Sequence, residues 1–317
     1  MIVSEAVEQF IFHCQYEKNL SIKTLKAYQI DLQQFVIGLN ISALSISQVE
    51  KDLLKRYIQG LFEKGLKEKS IKRKIATLKA LFNYLEFDEC IVSNPFRKLK
   101  ISIKEPKRFP KTLELQEIKK LLSYVYKQKD KIDKNSYSYK ALIRDILILE
   151  LLFVTGMRVS EISNLMLGDI TLKNSLLRVI GKGDKERTIQ ICDSEIKAIL
   201  KEYISNFHEI FSSKTYLLIN RLNEKISEQS IRFMLKKYQK LSGLTKNITP
   251  HMFRHSFATM LLEEGVDIRY IQHILGHASI STTQIYTQVN SKHQKKILAT
   301  KHPRRNMQFT DKAIVHE

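Results

Sequence analysis

Leu176-Leu-Arg-Val-Ile-Gly-Lys-Gly-Asp-Lys-Glu-Arg-Thr-Ile-Gln-Ile191 is the stretch that decides the fold class. Two β-rich runs, Leu176–Ile180 and Glu186–Ile191, flank Gly181-Lys-Gly-Asp-Lys185. Runs of this kind joined by a glycine-bearing turn predict a hairpin. The glycines permit positive φ and close approach of another backbone. Lys182 then sits at the tip, where it can enter a groove or a phosphate site. Taken alone, the same residues also make an ordinary solvated turn.

Outward from the hairpin the pattern is helical on both sides. Upstream, an apolar helix is expected from about Ala141 to Phe153, a polar loop over 127–140, and a helix starting near Leu115. Downstream, Ser194 onward is mainly helical. The first ~100 residues read as helices too. One begins at Ser21, a good N-cap, with Leu25, Tyr28, Leu32 and Phe35 on one face. Another follows Ser47 to about Lys64, and a third spans Ser70 to Leu85.

Asn94-Pro95 closes that helical region, and Arg97 to Lys111 is cationic, unpatterned and interrupted by two prolines, as an extended linker is. The expected organisation is therefore a helical domain over 1–100, a basic linker over 101–111, a second domain over 112–306, and an extension over 307–317. The fold class is mainly α with one small β-hairpin.

Lys+Arg outnumber Asp+Glu by 53 to 33, an excess that points to a polyanionic partner. The cations concentrate around the third helix: Lys69, Lys72, Arg73, Lys74 and Lys79, with Lys107 and Arg108 in the linker. A helix lying against DNA and a merely solvated helix face both fit that segment. No apolar run approaches the ~18 residues of a membrane span, so no membrane partner and a cytoplasmic location are expected. Three scattered cysteines, Cys14, Cys90 and Cys192, indicate neither a disulfide framework nor a zinc site. No P-loop and no carboxylate metal cluster is present, so no cofactor or metal is expected.

Three further patterns carry candidate chemistry. In Thr155-Gly-Met-Arg-Val-Ser-Glu161, Gly156 can end one helix and Arg158 open the next, with Glu161 three residues on; alone this also fits a surface ion pair. In Thr249-Pro-His-Met-Phe-Arg-His255, an N-cap and a first-position proline start a helix whose first turn carries His251 and Arg254 on one face. A base beside a guanidinium at a helix N-terminus suits a phosphate, though a capped helix with two incidental polar residues has the same sequence. In Leu275-Gly-His277 and Ser281-Thr-Thr-Gln-Ile-Tyr286, Gly276 terminates a helix and Tyr286 lies in a later, short one.

The combination is more specific than its parts. Arg158, Lys182, His251, Arg254, His277 and Tyr286, in this order and spacing, resemble the catalytic set of the tyrosine recombinase (phage integrase) family, and the surrounding strings resemble its Xer branch. The resemblance covers nearly the whole chain, including Asn94-Pro95 and His302-Pro-Arg304. It implies a two-domain, C-shaped DNA clamp. It also implies metal- and ATP-independent cutting and rejoining of DNA through a 3′-phosphotyrosine on Tyr286 and a Holliday junction.

By the same resemblance, Arg158 and Arg254 clamp the phosphate, Lys182 is the general acid, and His251 handles the tyrosine proton. His277 hydrogen-bonds the phosphate and Glu161 orients its neighbours. The implied partners are double-stranded DNA with a specific site, further copies in a tetramer joined through the tail from Gln294, and a second recombinase or a DNA-translocase regulator. The implied role is Xer-like resolution of chromosome or plasmid dimers, hence chromosome partition and cell division. A mobile-element integrase and an inactive architectural DNA-binding protein are the alternatives.

Overall fold

The computed structural model describes residues 1–104, 111–173, 175–181, 185–208, 216–276 and 298–307. The chain divides into two compact units, Met1–Arg108 and Phe109–Glu317. No helix among the described residues is long and apolar enough to cross a membrane.

The first unit is built from α1 (Val3–Phe12), α2 (Ile22–Leu39), α3 (Lys51–Glu63) and α4 (Glu68–Phe87). Ser21 caps α2, its Oγ accepting from the Thr24 amide at 3.3 Å. Asn40 ends the helix in the left-handed region, which asparagine tolerates better than most residues. Leu32, Phe35, Leu54, Ile71, Leu81 and Phe82 meet in one apolar core. The expected amphipathic spacing of α2 and α4 is thus realised.

One charge in this core alters the expected basic face. Asp31 is buried and accepts from Lys74 Nζ at 2.9 Å, from the Arg73 guanidinium, and from Thr77 Oγ1 at 3.2 Å. Lys74 is itself buried and also bonds Gln34. Its assignment to a DNA-contacting surface is therefore corrected. A carboxylate inside an apolar bundle must be paired, and Lys74 is on the inward face of α4 to do so. Lys69, Lys72, Arg73 and Lys79 remain exposed.

The second unit contains α5 (Leu115–Lys129), α6 (Tyr137–Thr155), α7 (Val159–Asn164), β1 (Ile170–Thr171), β2 (Leu176–Ile180), β3 (Glu186–Gln190), α8 (Ser194–Asn206), α9 (Glu228–Leu241), α10 (Pro250–Glu263) and α11 (Ile268–Leu275). The strands form one antiparallel sheet in the order β1-β2-β3, with Ile180 opposite Glu186 at the mouth of the hairpin. Residues 182–184 at its tip lie outside the described residues. β1 is too short to carry a period-two signal, and the sequence did not reveal it. α6 is the central element, buried over most of its length and packed by α5, α8 and α10.

The expected loop over 127–140 shrinks to a short turn. α5 runs to Lys129, and α6 starts at Tyr137 behind a Ser136 cap, whose Oγ accepts from the Tyr139 amide at 3.1 Å. Glu202 of α8 gathers both ends, accepting from Lys129 at 2.7 Å and from the Tyr139 hydroxyl at 2.5 Å. The polar residues that suggested a loop are the helix ends and their long-range partners.

Gly156 ends α6 at φ +60°, where a Cβ would lie 2.6 Å from Leu275 Cδ2 and 2.9 Å from Phe257 Cδ1. Left-handed strain and overpacking together should make Gly156→Ala less stable by about 2–4 kcal/mol. Urea unfolding of the two proteins measures it.

Candidate active site

Each expected site residue of the second unit that is described comes from the end of an element. Arg158 is the N-cap residue of α7, and Glu161 is in that helix's first turn. His251 and Arg254 are in the first turn and a half of α10, behind Pro250. Thr249 has the extended backbone of an N-cap, but its side chain makes no capping bond. Lys182, His277 and Tyr286 lie outside the described residues, as do Lys107 and Arg108. His251 is exposed and Arg254 is buried.

Arg158 and Glu161 are not a surface pair. Glu161 is only 5% exposed, and its two oxygens accept four bonds. Oε1 receives Arg158 Nη1 at 2.8 Å and Arg187 Nη1 at 3.1 Å; Oε2 receives the Arg158 amide and Arg187 Nη2, each at 2.8 Å. Burial opposes its ionisation, but the bonds and charges of Arg187 and Arg158 outweigh that and hold the carboxyl below its usual range.

Arg254 has no acidic hydrogen-bond partner among the described residues. It donates to the Gly156 carbonyl at 2.9 Å and to the Leu275 carbonyl at 2.7 Å. Burial, with the nearby charges of Arg158 and Arg187 against that of Glu161, lowers its pKa to about 10. Its charge is therefore held in an unfavourable place. An anion docking there would relieve that cost.

The three guanidiniums converge on the end of α11. Arg187 Nε donates to the Ile274 carbonyl at 2.7 Å, Arg254 to Leu275, and Arg158 Nη2 to Gly276 at 3.4 Å. The last carbonyls of a helix lack intrahelical donors and carry the negative end of its dipole, so cations settle there. Gly276 closes the helix at φ +65°, where a Cβ would come 3.0 Å from Arg187 Nη1. Two guanidiniums bond one carboxylate and the third, Arg254, lies near them, so among the described residues the cluster holds two more positive charges than negative. That excess matches a phosphodiester whose negative charge grows as it reacts.

A model of the phage integrase family matches residues 111–293, and one of the phage integrase N-terminal SAM-like domain matches residues 7–87. The chain belongs to the phage integrase family. A "Tyrosine recombinase" of Agathobacter rectalis is 44% identical over 96% of this chain and 98% of its own length. "Tyrosine recombinase XerC" of Thermodesulfovibrio yellowstonii is 36% identical over 94% and 96%. Among solved structures, the XerH site-specific recombinase bound to its difH substrate has the same fold. Its TM-score is 0.65 at 24% identity, over 95% of this chain and 83% of that one. A lambda integrase dimer bound to a core site has a TM-score of 0.66 at 20% identity, over 92% and 100%.

Sequence reasoning on the phage integrase pattern missed Arg187 as a member of this cluster. A signal existed: Arg187 alternates with Ile189 on β3, so its side chain points to the buried face of the hairpin. A cation on the core side of a strand needs a buried acceptor.

Proposed function

We propose that this site-specific tyrosine recombinase cuts one DNA strand at a time with Tyr286 as nucleophile. The phenolic oxygen bonds to the scissile phosphorus as the bond to the 5′-oxygen breaks. The strand is then held as a 3′-phosphotyrosine. The phenol's reference pKa of ~10 makes it a weak nucleophile at neutral pH, so its proton must leave as it attacks, and by resemblance to the family His251 takes it. Lys182 supplies the proton to the departing oxygen. Arg158, Arg254 and His277 take the charge that grows on the non-bridging oxygens, and Glu161 orients Arg158. The phosphotyrosine conserves the bond's energy, so a 5′-hydroxyl of a partner duplex can reverse the step and join a new strand, with no metal or nucleotide required.

The observation that carries this reading is the partly buried cluster of Arg158, Arg187, Arg254 and Glu161, which among the described residues has positive charge to spare for a phosphate. Double-stranded DNA as substrate is supported by the related XerH and lambda integrase complexes. A lambda integrase tetramer on a Holliday junction supports assembly through a four-way intermediate. The relatives named XerC favour dimer resolution of chromosomes or plasmids as the role. Lys69, Lys72, Arg73 and Lys79 are the exposed cations proposed to meet DNA phosphates.

A duplex nicked beside the cleavage position loses a short fragment after attack and traps the covalent complex. Wild type should give an SDS-stable protein–DNA adduct, and sequencing the trapped DNA reads the cleavage site. Arg254→Ala should slow adduct formation by roughly 10²–10³-fold, as loss of one preorganised donor does. A wild type that yields no adduct on its own site would sink the reading.

A further inference from the structure

Glu161 is saturated by two arginines, and the division of its bonds is unequal. Arg187 grips both oxygens from β3 with two N–H groups and is almost fully buried, its side chain 7% exposed. Arg158 gives the carboxylate a single side-chain N–H and keeps its side chain 34% exposed. A lone carboxylate prefers to take an arginine bidentately, edge against edge. In this site that geometry is already occupied by Arg187.

We propose that Arg187 is a positioning residue that keeps Arg158 available to the phosphate. By filling one edge of Glu161, it lets the carboxylate hold Arg158 in place without capturing the whole of its guanidinium. Its Nε bond to the Ile274 carbonyl fixes the guanidinium plane in which it does so. Without Arg187, Glu161 loses two of its four donors, and Arg158 is the nearest cation left to replace them. Arg158 then turns a second N–H toward Glu161 and away from substrate. This inference rests on the reading that Arg158 and Arg254 contact the scissile phosphate.

The test compares Arg187→Gln, Arg158→Ala and wild type on the nicked trapping duplex. One duplex carries an ordinary scissile phosphate, the other a methylphosphonate, in which a methyl group replaces one non-bridging oxygen. The neutral methylphosphonate develops less charge and needs less help from a guanidinium. On phosphate, Arg187→Gln should slow adduct formation by about 30-fold or more, in the range of losing a charge-stabilising donor, with binding to the duplex within about threefold of wild type. On one methylphosphonate stereoisomer that deficit should collapse to a few-fold, and the deficit of Arg158→Ala should collapse on the same isomer.

Arg187→Lys keeps the charge and the fold but cannot bond both oxygens in one plane, so it should fall between the two. If Arg187→Gln is poorly folded, Arg187→Lys is read against the same criterion. Equal deficits on phosphate and on both methylphosphonates for the Arg187 variants, with Arg158→Ala rescued, would overturn the proposal and leave Arg187 a structural pair. Arg158→Ala showing the same deficit on all three substrates would instead remove the phosphate reading beneath it.

Discussion

Tyr286→Phe should form no SDS-stable adduct with the nicked duplex, yet bind it as wild type does. The substitution removes only the oxygen proposed to bond to phosphorus, so on that reading the covalent pathway is lost and adduct formation should fall by about 10⁴-fold or more. Other phenols are poor substitutes. Tyr126, Tyr139 and Tyr238 are buried and give their hydroxyls to Glu150, Glu202 and Asp145. Burial and those carboxylates push all three well above the ordinary phenol pKa, which disfavours the attacking anion. Adduct formation by the phenylalanine variant, located by peptide mapping to another tyrosine, would move the nucleophile elsewhere. A wild type that traps DNA beside a variant that does not would fix it at Tyr286.

The parts of this chain legible in its sequence are those where local rules agree. Ser21 caps its helix, Gly156 and Gly276 end theirs at positive φ, and the hairpin pairs Ile180 with Glu186 as the turn residues require. Each feature is decided within a few residues, so pattern and propensity suffice. The misread parts are decided by partners far along the chain. Lys74 looks like one more cation on a basic helix until Asp31, 43 residues away, is placed beside it. The turn over 130–136 looks like a long loop until Glu202 arrives to organise both its ends. Arg187 belongs to the active-site cluster only because β3 is brought against α7 and the end of α11. Arg158, Glu161 and Arg254 were found by their resemblance to a catalytic pattern. Each of their local spacings also fitted an ordinary ion pair or cap. What the resemblance did not provide was the convergence of three arginines on the consecutive carbonyls of Ile274, Leu275 and Gly276.

Arg304→Met should unfold the second unit at a urea concentration well below that of wild type, with a loss of about 3–5 kcal/mol. Arg304 is 1% exposed and gives Nε to Glu150 Oε2 at 2.9 Å and Nη2 to Glu150 Oε1 at 2.8 Å. The same Nη2 reaches Glu195 at 2.8 Å, and Nη1 donates to the Met307 carbonyl at 2.7 Å. Glu150 is fully buried on α6, and that burial pushes its carboxyl pKa up against the opposing bonds and charge of Arg304. Removing the guanidinium strands this carboxylate without a counter-ion, which costs far more than the pair itself contributes. The double substitution Arg304→Met, Glu150→Leu should therefore recover most of the stability, because it removes the stranded charge along with its partner. Recovery of stability need not restore DNA cleavage. His302 next to the network receives the Arg304 amide on Nδ1 at 3.1 Å and contacts the Phe153 carbonyl through Nε2 at 3.3 Å, so the chain around 302–304 is tied to α6. Gly276 is held by the arginine cluster, and Leu298 is buried in the core of the same unit. Gly276 and Leu298, the described residues that flank positions 277–297 in the sequence, are thus both anchored in the second unit. Loss of Arg304 weakens the second anchor. The double variant should be stable yet slow to form the phosphotyrosine adduct. A double variant that regains both stability and full cleavage would show that the anchor serves the fold alone.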